Sequence, residues 1–252
     1  DASRQTVVIE IPVDAGKSVV RLQELPRDWK KVIKIVEKEA SAANTVVELE
    51  LYLQLWRDIA IEYYRVEYLE SEKKTSEFDM SIGQEGARSN LVPMLLRAID
   101  FVNDYKQNIY LSKDSTKQHE ITNLTQKYLT LYYNILASYY HKVSELETAE
   151  ARDELHMEAN QYINNAMNIS YQEASTCIIR GYSSIESGKL LEADQEFNHV
   201  IHQQPNNTLS LLGKAIVLFN KEQYDKALDQ YKKVIRNNPL CPLSIFNAAA
   251  LC

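Results

Sequence analysis

The chain has 252 residues, 45% of them hydrophobic and 25% charged, a net charge of −7 and a pI near 5.4. Six glycines and six prolines fall well below the roughly 12% that these two residues usually contribute, which favours long helices over turn-rich sheets. The acidic balance argues against a surface built for phosphate backbones. No run reaches about 18 apolar residues, which excludes a membrane-spanning helix, and three scattered cysteines fit a reducing compartment.

The start, Asp1-Ala2-Ser3-Arg4, lacks a methionine and an apolar leader, and reads as the cut end of a fragment. Residues 6–13, TVVIEIPV, are β-branched, and Pro12 rules out a helix or a central strand. Residues 1–27 are expected to form a short extended arm. It either packs on the helices that follow or pairs through Val8, Ile9 and Ile11 with a strand from a partner.

Asp28 is placed to cap a helix running to about Ala40, with Trp29, Val32, Ile33 and Val36 on one face. Asn44 is a candidate cap for a longer helix through about Leu69, in which Trp56, Ile59, Ala60 and Tyr63 share a face. Polar residues 70–90 read as an inserted loop, and a helix over about 91–105 follows, with Pro93 tolerated in its first turn. A polar connection over 106–120 leads to a helix of about 121–143 carrying Tyr133, Leu136, Ala137 and Tyr140. A further helix over 149–169 carries Ala159, Ile163 and Ala166. The interval from Ala137 to Ala159 is ten residues longer than in the units that follow, which implies either longer helices or an insertion.

From residue 174 one pattern is written twice, 34 residues apart. Pro205 recurs as Pro239, Ala193 as Ala227, Phe197 as Tyr231, Leu190 as Tyr224 and Gly181 as Ala215. A period of 34 is that of the tetratricopeptide repeat, a helix–turn–helix unit. Its small residues permit close helix crossing, its aromatic fills the adjoining space and its proline ends the second helix. The apolar quartets at 56–63 and 133–140 follow its first-helix spacing. The expected fold is therefore all-α, a tetratricopeptide solenoid over 28–252 with a short extended N-terminal arm. Irregular units lie at about 44–105 and 121–169, regular units at 174–207 and 208–241, and a partial unit at 242–252. The apolar residues after Pro242 offer no polar cap, so the array is expected to continue beyond Cys252.

No phosphate-cradling glycine loop, nucleophile elbow or zinc-protease motif is present. His199 and His202 share a helix face without a third ligand, and His119, His141 and His156 read as scattered singles. No catalytic residue, cofactor site or metal site is expected. Binding is then expected on the inner face of the first helices, at Ile178, Tyr182, Leu212, Ile216 and Phe219, where an apolar row suits a hydrophobic segment of a partner. Alternatively, neighbouring helices of the chain itself fill that groove. Lys, Arg and Asn, which grip terminal carboxylates in chaperone-binding repeats, are missing from these positions.

The run from Pro205 to Pro242, with Leu212-Gly213-Lys214-Ala215, Phe219-Asn220-Lys221 and Asn238-Pro239 ahead of Cys241-Pro242, resembles the large tetratricopeptide scaffold subunit of the RNA polymerase II-associated factor (PAF) complex. Ile9-Glu10-Ile11-Pro12, Leu25-Pro26, Glu62-Tyr63-Tyr64 and Tyr139-Tyr140 follow the same order. The resemblance implies the N-terminal portion of a nuclear, non-enzymatic scaffold. It implies that the chain holds the complex's namesake subunit, and further subunits and RNA polymerase II indirectly, during elongation and co-transcriptional histone modification, without contacting nucleic acid or membrane. Two rivals are a chaperone adaptor and the substrate-recruiting domain of a larger enzyme.

Overall fold

The computed structural model describes residues 29–43, 45–76, 90–110, 115–145 and 147–251. The arm with Val8, Ile9 and Ile11, the cap position Asp28, Asn44 and the stretch 77–89 lie outside the described residues. Those described form ten α-helices and no strand: α1 (Trp29–Ser41), α2 (Val46–Ser76), α3 (Leu91–Tyr110), α4 (Ser115–Ser144), α5 (Ala149–Ile169), α6 (Ala174–Glu186), α7 (Leu190–Gln203), α8 (Thr208–Asn220), α9 (Tyr224–Asn237) and α10 (Pro242–Ala250). The all-α class is as expected. Two compact units divide within α4, between Tyr132 and Tyr133.

In the first unit, α1 buries Ile33, Val36 and Ala40, while the side chains of Trp29 and Val32 lie outside those described. Helix α2 opens on a reciprocal cap at Thr45. The Thr45 hydroxyl accepts from the Glu48 amide at 3.1 Å, and the Glu48 carboxylate accepts from the Thr45 amide at 3.2 Å. Its expected face is buried as a set: Trp56, Ile59, Ala60 and Tyr63. Leu91, Met94, Leu95 and Ala98 of α3 are sealed against solvent, and the Trp56 and Phe101 rings meet at 5.6 Å. From α4, the Tyr132 hydroxyl donates to the Leu53 carbonyl at 2.9 Å, and burial drives its pKa well above the usual value.

Three sequence expectations need correcting here. Helix α2 continues to Ser76, α3 runs to Tyr110, and α4 begins at Ser115, all inside stretches read as polar loops. Glu, Lys and Gln propagate helices well, so the loss of apolar periodicity does not mark the end of the helix. The long spacing between Ala137 and Ala159 reflects longer helices: α4 has 30 residues and α5 has 21.

The second unit begins with the last turns of α4, where Tyr133 and Tyr140 stack on Tyr162 of α5. Burial and the neighbouring Tyr140 and Glu158 push the Tyr162 pKa up to about 12. Asn134 donates to the Thr176 hydroxyl at 2.9 Å, tying α4 to the first turn of α6. From there the 34-residue period governs detail. Glu173 caps α6 by accepting from the Thr176 amide, and Asn207 caps α8 by accepting from the Ser210 amide. The third residues of α6, α8 and α10, namely Thr176, Ser210 and Ser244, are all fully buried.

The turns repeat as well. After α6, the Lys189 amide bonds the Ser184 carbonyl at 2.8 Å and the Gly188 amide the Ile185 carbonyl at 2.9 Å. After α8, Gln223 and Glu222 make the same pair of bonds to Leu218 and Phe219. This ending places one residue in the left-handed region. Gly188 does so at φ 71°, but its counterpart Glu222 has φ 59°, a conformation disfavoured for any residue with a Cβ. Glu222→Gly is therefore expected to raise stability by up to about 1 kcal/mol, read as a higher urea midpoint.

Candidate protein-binding surface

The close crossing inferred for the repeats is built around Phe197, which is fully buried. A Cβ on Gly181 of α6 would lie 2.7 Å from its Cζ, and one on Gly213 of α8 only 2.2 Å away. Tyr182 sets its ring edge-on against Phe197 at 5.1 Å. The equivalent ring one repeat later is Tyr231, whose hydroxyl accepts from Asn247, the residue 34 after Gly213, at 3.4 Å. The first ring thus meets bare backbone, and the second meets an amide.

This packing sorts the five groove residues expected from the sequence. Ile178 and Leu212 are only 7% and 5% exposed; Ile178 packs on Val200 and Leu212 in the cluster of Ala215 and Tyr231. They shape the wall rather than present surface. Tyr182 and Ile216 are partly buried. The Tyr182 hydroxyl donates to the Leu209 carbonyl at 2.9 Å, and burial raises its pKa. Phe219 is 45% exposed, with its ring edge-on to the equally open Tyr224 at 5.4 Å. Of the five, Phe219 alone is exposed, and Tyr224 stands open beside it.

Two groupings went unseen in the sequence. Helices α7, α8 and α9 enclose a cleft of about 450 Å³ lined by Lys214, Lys221, Lys226, Lys232, Lys233 and Arg236, with Asp194 and Asp229. Lys214 pairs with Asp194, and Lys221 lies 3.7 Å from the same carboxylate. Lys232 and Lys233, both exposed on α9, stand beside four other cations.

The second grouping corrects the reading of His141 and His156 as scattered singles. Their rings meet edge-on at 5.4 Å, and Glu186 joins them, its Oε2 lying 3.0 Å from His141 Nδ1 and 3.7 Å from His156 Nε2. Among the described residues His199 and His202 are not brought to a third ligand; His199 bonds Gln203.

Known proteins give this surface its context. No family model matches the chain. A protein of Arabidopsis thaliana called a CTR9 homolog is 27% identical over 247 residues, which is 97% of this chain and 19% of that protein. The RNA polymerase-associated protein CTR9 of Caenorhabditis elegans is 27% identical over 246 residues, 94% of this chain and 17% of that protein. The chain is similar in sequence to the CTR9 proteins.

It spans less than a fifth of the length of these relatives. Among solved structures it is similar to a tetratricopeptide protein of Thermus thermophilus, at 14% identity and a TM-score of 0.44, over 64% of this chain and 91% of that one. It is also similar to an assembly chaperone of RpL4, at 12% identity and a TM-score of 0.47, over 92% and 95%. At such scores the repeat assignment rests on the chain's own 34-residue period, on the paired caps and turns, and on the buried small and aromatic residues. Among the described residues no helix is long and apolar enough to cross a membrane.

Proposed function

We propose that the chain is a non-catalytic scaffold segment that binds protein partners, and that it serves in the PAF complex by holding the namesake subunit on RNA polymerase II in the nucleus. The relation to CTR9 proteins over 97% of the chain carries this reading. Support comes from an aromatic pair at Phe219 and Tyr224 that faces solvent, the kind of anchor on which protein interfaces concentrate their energy. The complex's roles in elongation and histone modification follow for this chain as part of the same proposal, as does its place at the N-terminal end of the scaffold.

Phe219→Asp is expected to weaken binding of the namesake subunit about 30-fold or more, the effect of losing one hot spot of about 2 kcal/mol. Far-UV circular dichroism should remain unchanged, because the ring lies outside the core. A folded variant that binds as tightly as the parent would remove Phe219 from the interface.

The chaperone-adaptor reading draws on one observation, the six cations of the cleft, which suit an acidic segment. A peptide with a free C-terminal carboxylate would then bind, and its amidated form would not. Equal binding or none at all would dispose of that reading.

A further inference from the structure

We propose that His141, His156 and Glu186 form a divalent metal site, of the class zinc occupies, that joins α4, α5 and α6. One ligand atom from each residue lies within 4.8 Å of the others. A tetrahedral zinc ion with bonds of about 2.0–2.1 Å sets its ligand atoms about 3.4 Å apart. The Glu186 oxygen is already near that spacing from both imidazoles, at 3.0 and 3.7 Å, so the closure needed falls mainly between the two rings. Two imidazoles and one carboxylate form a borderline donor set that suits zinc better than calcium or magnesium, which favour oxygen.

A second observation points the same way. His141 is only 9% exposed, yet neither ring nitrogen has a hydrogen-bond partner among the described residues. Nδ1 lies 3.0 Å from Glu186 without hydrogen-bond alignment. A buried imidazole that makes no hydrogen bond is costly, and a metal bond at Nδ1 would answer the part of that cost carried by this nitrogen. Ser144 links the two histidine-bearing helices. The Ser144 hydroxyl donates to the His141 carbonyl at 2.6 Å and lies 2.8 Å from His156 Nε2, from which it accepts. Capture of an ion exchanges that last contact for a metal bond, the ring proton moving to Nδ1. A water molecule completes four-coordination. The ion would clamp the end of the long α4 helix to the first regular repeat, a staple independent of any partner.

The test uses the 252-residue chain, stripped with chelator and titrated calorimetrically with zinc chloride. The expected result is about one zinc per chain and a rise in Tm that chelator reverses. Glu186→Gln, nearly isosteric and partly exposed, and His156→Ala should each weaken zinc binding at least about tenfold, with unchanged helicity in the metal-free state. Cobalt(II) in place of zinc should show visible d–d bands without thiolate charge transfer, since Cys177 and Cys241 are not ligands. An absence of zinc binding, undiminished binding in both variants, or a thiolate band would each overturn the proposal.

Discussion

Phe197→Ala is expected to destabilise the second unit by about 3–5 kcal/mol, the usual loss for a buried aromatic truncated in a core that cannot fully collapse. The ring is completely enclosed and is held from two sides by glycines, so its removal opens a void bounded by helix backbone. The converse change attacks the same contact. A methyl group on Gly213 would sit 2.2 Å from Phe197 Cζ and 2.3 Å from Cε1, far inside van der Waals contact, and either the ring or α8 must shift. Gly213→Ala should therefore cost about 1–3 kcal/mol through overpacking, although alanine favours helices over glycine by about 1 kcal/mol. Because both changes act on one contact, the double variant should be more stable than the sum of the single losses implies. Urea denaturation followed by far-UV circular dichroism reads all three. Additive losses would show that Phe197 and Gly213 do not share a packing site.

In the first unit, Trp56→Ala is expected to cost about 3–5 kcal/mol. Trp56 is fully buried on the central face of α2 and lies against Phe101 of α3. Its indole Nε1 has no hydrogen-bond partner among the described residues, so part of the burial gain is offset by an unpaired donor. Trp56→Phe keeps an aromatic ring and removes that donor. It should therefore lose less than about half as much as the alanine variant. If the phenylalanine variant is as damaged as the alanine one, the indole nitrogen has a partner and the packing account of this face is incomplete.

The parts of this architecture legible in the sequence are those written as side-chain burial. Apolar periodicity located α5 at 149–169 and the paired helices after 174, and Phe197 matched to Tyr231 marked the packing aromatics. The third-residue series Thr176, Ser210 and Ser244 was equally readable, since it keeps the same period. Helix continuation through 70–76, 106–110 and 115–120 was not, because polar helix and polar loop share a composition. Groove exposure was also hidden. Ile178 and Phe219 read alike as inner apolar positions, but neighbouring helices cover the first and leave the second open. The His141–His156–Glu186 cluster had no local signature at all. Its members come from three helices, and the two imidazoles meet where α4 and α5 also stack Tyr133 and Tyr140 on Tyr162. The basic cleft escaped for the same reason, its cations being shared between α8 and α9.

The most direct test of the scaffold assignment is to co-purify residues 1–252 with the namesake subunit of the PAF complex and measure the mass of the product by light scattering, beside a version lacking residues 1–27. The expected result is a stable 1:1 complex with the full chain, weakened by Phe219→Asp. Loss on truncation would place part of the interface on the arm. A chain that is helical and folded by circular dichroism, yet forms no complex at micromolar concentration, would contradict the assignment of this segment as the binding site.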